Sequence, residues 1–374
     1  MPSGPLLAFS GLMTVLNRGL AWVDFAVHYA SGYFFYWFLR GMKPQTHTRP
    51  RNLPDGRMYS PSVVITGASQ GIGLSTALSL ADKGYNVFAT VKDENEAKRA
   101  KEAVDDAFAG KPTRVGAVHV TIMDVLSKES ISQCVNYVEA VLQDTPDKPL
   151  VAVVNNAGFC MIAPFELSPD EDIKRAFDLD LFAYFAVIRA FLPIIKRNKG
   201  RIINIGSFGG YANVPMWAVY CALKGAIENF GRVLRFEMMP FGVGVTTIRP
   251  GFTRTWGIGP KITHSWAKYY DNIPQAAGVD SLGNTIMACT SAGEAEEKVY
   301  RPIMDKWHTF TVAGVEGIAQ PSEAVAETVH DALTDKFLQP YYTIGYDANL
   351  GQMARDLAPE SWWEYGVAKS YGCL

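Results

Sequence analysis

The chain has 374 residues, 48% of them hydrophobic and 19% charged, with a formal net charge of −2. It is long enough for one large domain or two and too apolar to be disordered throughout. Five scattered cysteines without a CxxC pair exclude a disulfide scaffold and a zinc ribbon, and the charge balance leaves no basic footprint for nucleic acid.

In chain order the first feature is apolar. Residues 5–39 are rich in aliphatic and aromatic side chains, and the stretch 19–39 has about the length of a bilayer-crossing helix. Asp24 and His28 interrupt it four residues apart, which on a helix places them on one face where they can pair. An aspartate inside a spanning helix costs about 2.5–3.5 kcal/mol. Three arrangements stay open: a spanning or hairpin-like anchor, a partly inserted interfacial segment, and an apolar helix packed on the domain or a second subunit. Tyr33, Phe34, Phe35, Tyr36, Trp37 and Phe38 form a cluster of the interfacial kind, and Arg40, Lys43, Arg49, Arg51 and Arg57 follow against Asp55 alone. If the segment spans, this basic flank keeps the rest of the chain in the cytosol.

Residues 43–60 are polar, carry prolines and read as a linker after the apolar segment 1–42. Short apolar runs at 62–66, 86–91, 116–122, 151–155, 201–205 and 244–248 predict strands. Amphipathic stretches such as 71–83, 127–144, 170–196 and 218–239 predict helices between them. Continuous Val and Ile runs mean strands covered on both faces. Strand and helix in alternation mean an α/β protein with a doubly wound parallel sheet, here over 61–350. A last strand-like run lies at 341–344, and 351–374 is a tail carrying Trp362, Trp363 and Tyr365.

The first strand runs directly into Gly67-Ala68-Ser69-Gln70-Gly71-Ile72-Gly73, and a helix follows. Gly67 permits a tight turn, Gly71 lets the backbone approach a pyrophosphate, and Gly73 allows close helix packing. The helix N-terminus adds unpaired N–H groups and the positive end of its dipole. Strand, glycine loop and helix together predict a dinucleotide cradle, Ile72 included. NAD-binding chains place an acid at the end of the second strand for the ribose 2′-hydroxyl. Here Val91 and Lys92 stand there. Lys92 suits the 2′-phosphate of NADP, with Ser69 as a second contact, while Asp93 next to it keeps NAD open.

Tyr220 and Lys224 are four apart on a predicted helix and so share a face. A phenol, with an ordinary pKa of about 10, is a poor base near neutrality. An ammonium beside it favours the phenolate, as would a positively charged nicotinamide. Ser207 follows the strand 201–205, so its hydroxyl falls at the C-terminal edge of the sheet, where open α/β sheets bind ligands.

The spacing Thr66-Gly67-x-x-x-Gly71-x-Gly73, the order Ser207, Tyr220, Lys224, the turn Asn155-Asn156-Ala157-Gly158 and a strand ending in Pro250-Gly251 resemble the short-chain dehydrogenase/reductase family over about residues 60–256. The run 342–348 looks like its retinol and 17β-hydroxysteroid dehydrogenase branch. The resemblance implies a Rossmann-like fold and reversible hydride transfer between a nicotinamide and a carbonyl or alcohol carbon. Tyr220 is then the general acid in reduction and base in oxidation, Lys224 lowers its pKa and holds the ribose, and Ser207 bonds the substrate oxygen. The resemblance also implies cofactor contacts at Asn156, Ala157, Gly158, Pro250 and Gly251, an adenine contact at Asp124, and a carboxamide or phosphate contact at Thr255. One position departs. Asp180 stands where family members carry an asparagine that helps hold a proton-relay water. If a backbone carbonyl does that work, Asp180 substitutes; if the amide is needed, the relay is impaired or Asp180 pairs with Lys224.

No metal is expected, because six scattered histidines form no ligand cluster. Residues 256–320, with Trp256, Trp266, Tyr269, Trp307 and Phe310, read as the substrate segment. Their aromatic content suits a lipophilic ligand, or simply closes the core. The expected function is an NADP(H)-dependent oxidoreductase acting on a steroid, retinoid or other keto lipid at a membrane. The membrane expected is the endoplasmic reticulum, reached through residues 5–39, with the catalytic domain in the cytosol. No nucleic-acid partner is expected, and a homodimer is open. Two alternatives stand beside this: an NAD-dependent dehydrogenase of the same family, and a catalytically weak lipid- or cofactor-binding member.

Overall fold

The apolar strand runs build one parallel sheet in the computed structural model. Its strands are β1 (Ser62–Ile65), β2 (Asn86–Val91), β3 (Ala117–Ile122), β4 (Leu150–Asn155), β5 (Arg201–Ile205), β6 (Gly244–Pro250) and β7 (Tyr341–Ile344). They lie in the order β3-β2-β1-β4-β5-β6-β7, every neighbouring pair parallel. The structure describes residues 47–110, 116–161, 163–255 and 317–371, short pieces between 278 and 309, and Cys373. Segment 5–39 and most of 256–320 lie outside the described residues. Among those described, no helix is long and apolar enough to cross a membrane.

The helices are α1 (Gly71–Asp82), α2 (Glu94–Phe108), α3 (Lys128–Leu142), α4 (Asp170–Phe177), α5 (Ala183–Arg197), α6 (Ala218–Met238), α7 (Ser322–Thr334), α8 (Tyr346–Leu357) and α9 (Glu360–Tyr371). Successive strand residues point to opposite faces. Val63 and Ile65 pack on one face with Leu80 of α1 and Val325 and Val329 of α7. Val64 packs on the other with Val138 of α3, Phe191 of α5 and Leu234 of α6. Each fully buried Val, Leu or Phe contributes about 1.5–3 kcal/mol. Both faces being covered is why the strands read as unbroken apolar runs.

The expected helix over 170–196 is two helices. A π turn, Asp178–Phe182, joins α4 to α5. Such a turn inserts one extra residue into the helical register, and Asp180 in its middle is fully buried. Helix α2, which the strand-and-helix reading left unnamed, is capped by Asp93, whose carboxylate accepts the Glu96 N–H at 2.9 Å. The expected linker is attached to the domain from residue 47 on. His47 Nε2 donates to the Lys199 carbonyl at 2.9 Å, Thr48 Oγ1 to Leu333 at 2.5 Å and Arg49 Nε to Thr334 at 2.9 Å. The tail beyond 350 is helical, in the second half of α8 and in α9.

The chain works outward from β1 to β3, then crosses back to β4 and continues to β7. The reversal lies between β1 and β4 and leaves a crevice at their C-terminal ends, where such sheets take their ligand.

Candidate active site

The glycine loop closes the C-terminal end of β1. Gly67 and Gly71 have φ of 63° and 57°, the left-handed region that glycine enters without steric cost. A Cβ on Gly73 would meet the Gly67 carbonyl at 2.4 Å and Asn156 Nδ2 at 2.6 Å. The turn after β4 is stitched to this loop. Asn156 Nδ2 donates to the carbonyls of Thr66 and Gly67 at 2.9 and 3.0 Å. The N–H groups of Asn156 and Ala157 both donate to Thr66 Oγ1, each at 2.9 Å. Thr66 was not among the expected site residues; its place beside Gly67 was the available signal. Helix α1 has no side-chain cap and no acid in its first turn, so its N–H groups and positive dipole end are left for an anion.

The other expected cofactor residues line the same edge. Thr255 lies close enough to Gly71 that a Cβ there would meet its Cγ2 at 3.2 Å. Val91 is buried at the end of β2, and Lys92 beside it is exposed. Ser69 is half-buried in the loop. Asp124 follows β3, its Oδ1 accepting the Leu126 N–H at 3.0 Å. Pro250 and Gly251 end β6 under Asp347, whose Oδ2 accepts the Phe252 N–H at 2.7 Å. A Cβ on Gly251 would meet the Asp347 carboxylate. Burial pushes the Asp347 carboxyl up to about 6, with backbone N–H groups of Phe252 and Ala348 opposing. The residues present therefore fit a dinucleotide: a bare helix N-terminus and two left-handed glycines.

Ser207, Tyr220, Lys224 and Asp180 come together at the C-terminal ends of β4 and β5. Ser207 and Tyr220 meet beside Gly209, where an added Cβ would lie 3.3 Å from both Ser207 Oγ and Tyr220 Cε1, and Ser207 Oγ accepts the Gly209 N–H at 3.0 Å. Lys224 Nζ lies 5.6 Å from the Tyr220 ring centroid and donates to the Ile205 carbonyl at 3.4 Å. It lies 3.1 Å from Asp180 Oδ2, while Phe159 N–H donates to Asp180 Oδ1 at 2.9 Å. Burial raises the Asp180 carboxyl above the usual carboxylate range, and Lys224 and the Phe159 N–H pull it back. Tyr220 is half-buried, and desolvation holds its phenol well above the ordinary value. Beside it stands an apolar wall. Trp217 meets Tyr220 edge-on with ring centroids 5.2 Å apart, and Trp307 and Phe252 lie 6.0 and 6.4 Å from Trp217. Trp217, three residues before Tyr220, had not been expected at the site.

A doubly wound sheet, a phosphate cradle at its switch point and a phenol-ammonium pair on the same edge define a dinucleotide-dependent oxidoreductase. A family model described as short chain dehydrogenase matches residues 61–263. The chain belongs to the short-chain dehydrogenase family. Mitochondrial D-beta-hydroxybutyrate dehydrogenase of Bos taurus is 32% identical over 228 residues, 59% of this chain and 63% of that enzyme. Estradiol 17-beta-dehydrogenase 2 of Mus musculus is 35% identical over 195 residues, 52% of this chain and 48% of that enzyme. The solved NADPH-bound short chain oxidoreductase from Pseudomonas aeruginosa PAO1, described as containing an atypical catalytic center, shares the fold with a TM-score of 0.56. It is 19% identical, and the match covers 76% of this chain and 95% of that one.

Proposed function

We propose that the protein is an NADP(H)-dependent oxidoreductase that interconverts a carbonyl and an alcohol on a lipophilic substrate at a membrane. The observation that carries this is Ser207 set beside Tyr220, with Lys224 on the same helix face, on the sheet edge that holds the phosphate cradle. Gly67, Gly71, Gly73 and the first turn of α1 would hold the pyrophosphate, Lys92 and Ser69 the 2′-phosphate, and Lys224 the nicotinamide ribose. When bound, the dinucleotide supplies or takes up the hydride. In reduction Tyr220 donates its proton to the substrate oxygen, and in oxidation it takes that proton back. The Ser207 hydroxyl donates a hydrogen bond to the same oxygen and stabilises charge developing there.

The wall of Trp217, Phe252 and Trp307 favours an apolar substrate, and the similarity to an estradiol dehydrogenase points the same way. Steroid, retinoid and keto-lipid carbonyls are the class proposed. Segment 5–39 and the basic residues after it support attachment to the endoplasmic reticulum with the domain in the cytosol. A second copy of the chain is the proposed partner, supported by apolar side chains that α6 exposes, Phe236 at 68% and Val233 at 57%.

The test is NADPH oxidation by detergent-solubilised full-length protein over steroid ketones, retinal and long-chain keto lipids. Tyr220→Phe should lower turnover by about 10²–10⁴-fold and leave cofactor affinity unchanged. Tight cofactor binding without turnover of any of these carbonyls would replace the reading with a binding role.

A further inference from the structure

The π turn places a carboxylate where it has consequences for the acid of the reaction. Asp180 is fully buried, 3.1 Å from Lys224 Nζ and held by the Phe159 N–H. The turn after β4 is shaped around it: a Cβ on Gly158 would lie 2.6 Å from Asp180 Oδ2. An unopposed ammonium near a phenol weakens the phenol's hold on its proton. Here the ammonium, 5.6 Å from the Tyr220 ring, is matched by an opposite charge at contact distance. With Asp180 ionised beside the ammonium, the pair has no net charge.

We propose that Asp180 is a positioning residue acting through Lys224: by neutralising the lysine it keeps the proton on Tyr220, so that the resting site is loaded for carbonyl reduction and alcohol oxidation waits for alkaline pH. This rests on the reading of Tyr220 as the acid. Five titratable groups surround Tyr220. They are Lys224 and Cys221 on α6, Asp180 on the π turn, Cys160 after β4 and Tyr184 on α5. Burial is the main cause that holds the phenol up and the Asp180 carboxylate adds to it, while the neighbouring Ser207 hydroxyl opposes. The buried Tyr184 phenol is pushed up by desolvation, so it supplies no competing charge near neutrality.

The experiment is an NMR titration of full-length protein labelled with tyrosine at the phenol carbon, the Tyr220 signal being the one lost in Tyr220→Phe. In the wild type that signal stays a phenol to beyond about pH 10. In Asp180→Asn, which keeps the shape and the Phe159 contact, its midpoint falls by about one unit or more. The alkaline limb of NADPH-driven ketone reduction moves with it. A wild-type Tyr220 that ionises below about pH 8 overturns the proposal without need of any variant, and so does an unmoved midpoint in a folded Asp180→Asn. If the titrations come out as expected but no carbonyl is turned over, the role of Asp180 stands and the reductase reading falls.

Discussion

Gly158 shows how little room the site leaves at the scale of one residue. An added Cβ would sit 2.6 Å from Asp180 Oδ2 and 2.8 Å from its Cγ, closer than packed atoms come. The carboxylate cannot swing away without leaving Lys224 and the Phe159 N–H. Overpacking of this kind costs about 1–3 kcal/mol, so Gly158→Ala should lower urea-unfolding stability by that amount. Gly366→Ala, where nothing lies within 4 Å, should leave stability unchanged or slightly raised. Equal unfolding midpoints for both variants would mean that Asp180 does not occupy this corner. Gly158 was legible only as the last residue of a familiar turn. Its reason is a contact with a side chain far along the chain, and no local pattern records such a meeting. Asp180 itself was legible as a departure, and pairing with Lys224 was one of the outcomes left open; in the structure the two lie 3.1 Å apart.

At the scale of an element, the corner between β2 and α2 bears on the choice of cofactor. Asp93 was the residue that kept NAD open. Its carboxylate caps α2 through the Glu96 N–H, and Glu96 Oε2 in turn accepts the Lys92 N–H at 3.0 Å. A carboxylate engaged at a helix N-terminus is stabilised there by the dipole and has a structural task. Asp93→Ala should therefore cost about 1 kcal/mol of stability and leave the preference for NADPH over NADH as it was. Lys92→Ala should lower kcat/KM with NADPH about tenfold or more, the value of a charge-assisted contact, and leave NADH alone. A changed preference in Asp93→Ala would make that residue a ribose ligand. The strands were readable because burial on both faces selects unbroken Val and Ile runs. Helix α2 had a readable start, Asp93 followed three residues later by Glu96, the pattern of an N-terminal cap. The π turn had none: an inserted residue leaves the apolar periodicity of α4 and α5 intact on either side.

At the scale of the whole molecule, the two edges of the sheet have separate duties. Ser207, Tyr220 and the glycine loop sit at the C-terminal edge. The first described residues are fastened at the other: His47, Thr48 and Arg49 bond the carbonyls of Lys199, Leu333 and Thr334, which lie just before β5 and at the end of α7, on the approach to β7. Strands of this length put roughly 15–20 Å between the edges. The order of strands was legible from alternation and the switch-point rule, but which edge holds residues 47–49 was not, since it depends on hydrogen bonds from three polar side chains to distant carbonyls. Those bonds fix an expectation for the proposed anchor. Removing residues 1–42 keeps His47, Thr48 and Arg49 in place, so the truncated protein should bind NADPH with an unchanged Kd. The same truncation should release the protein from membranes in alkaline carbonate that retain the full-length chain. A large loss of cofactor affinity on truncation would show that the apolar segment shapes the site itself. Equal release of both forms would remove the anchor from the proposal and leave the cradle and the Ser207–Tyr220 pair untouched.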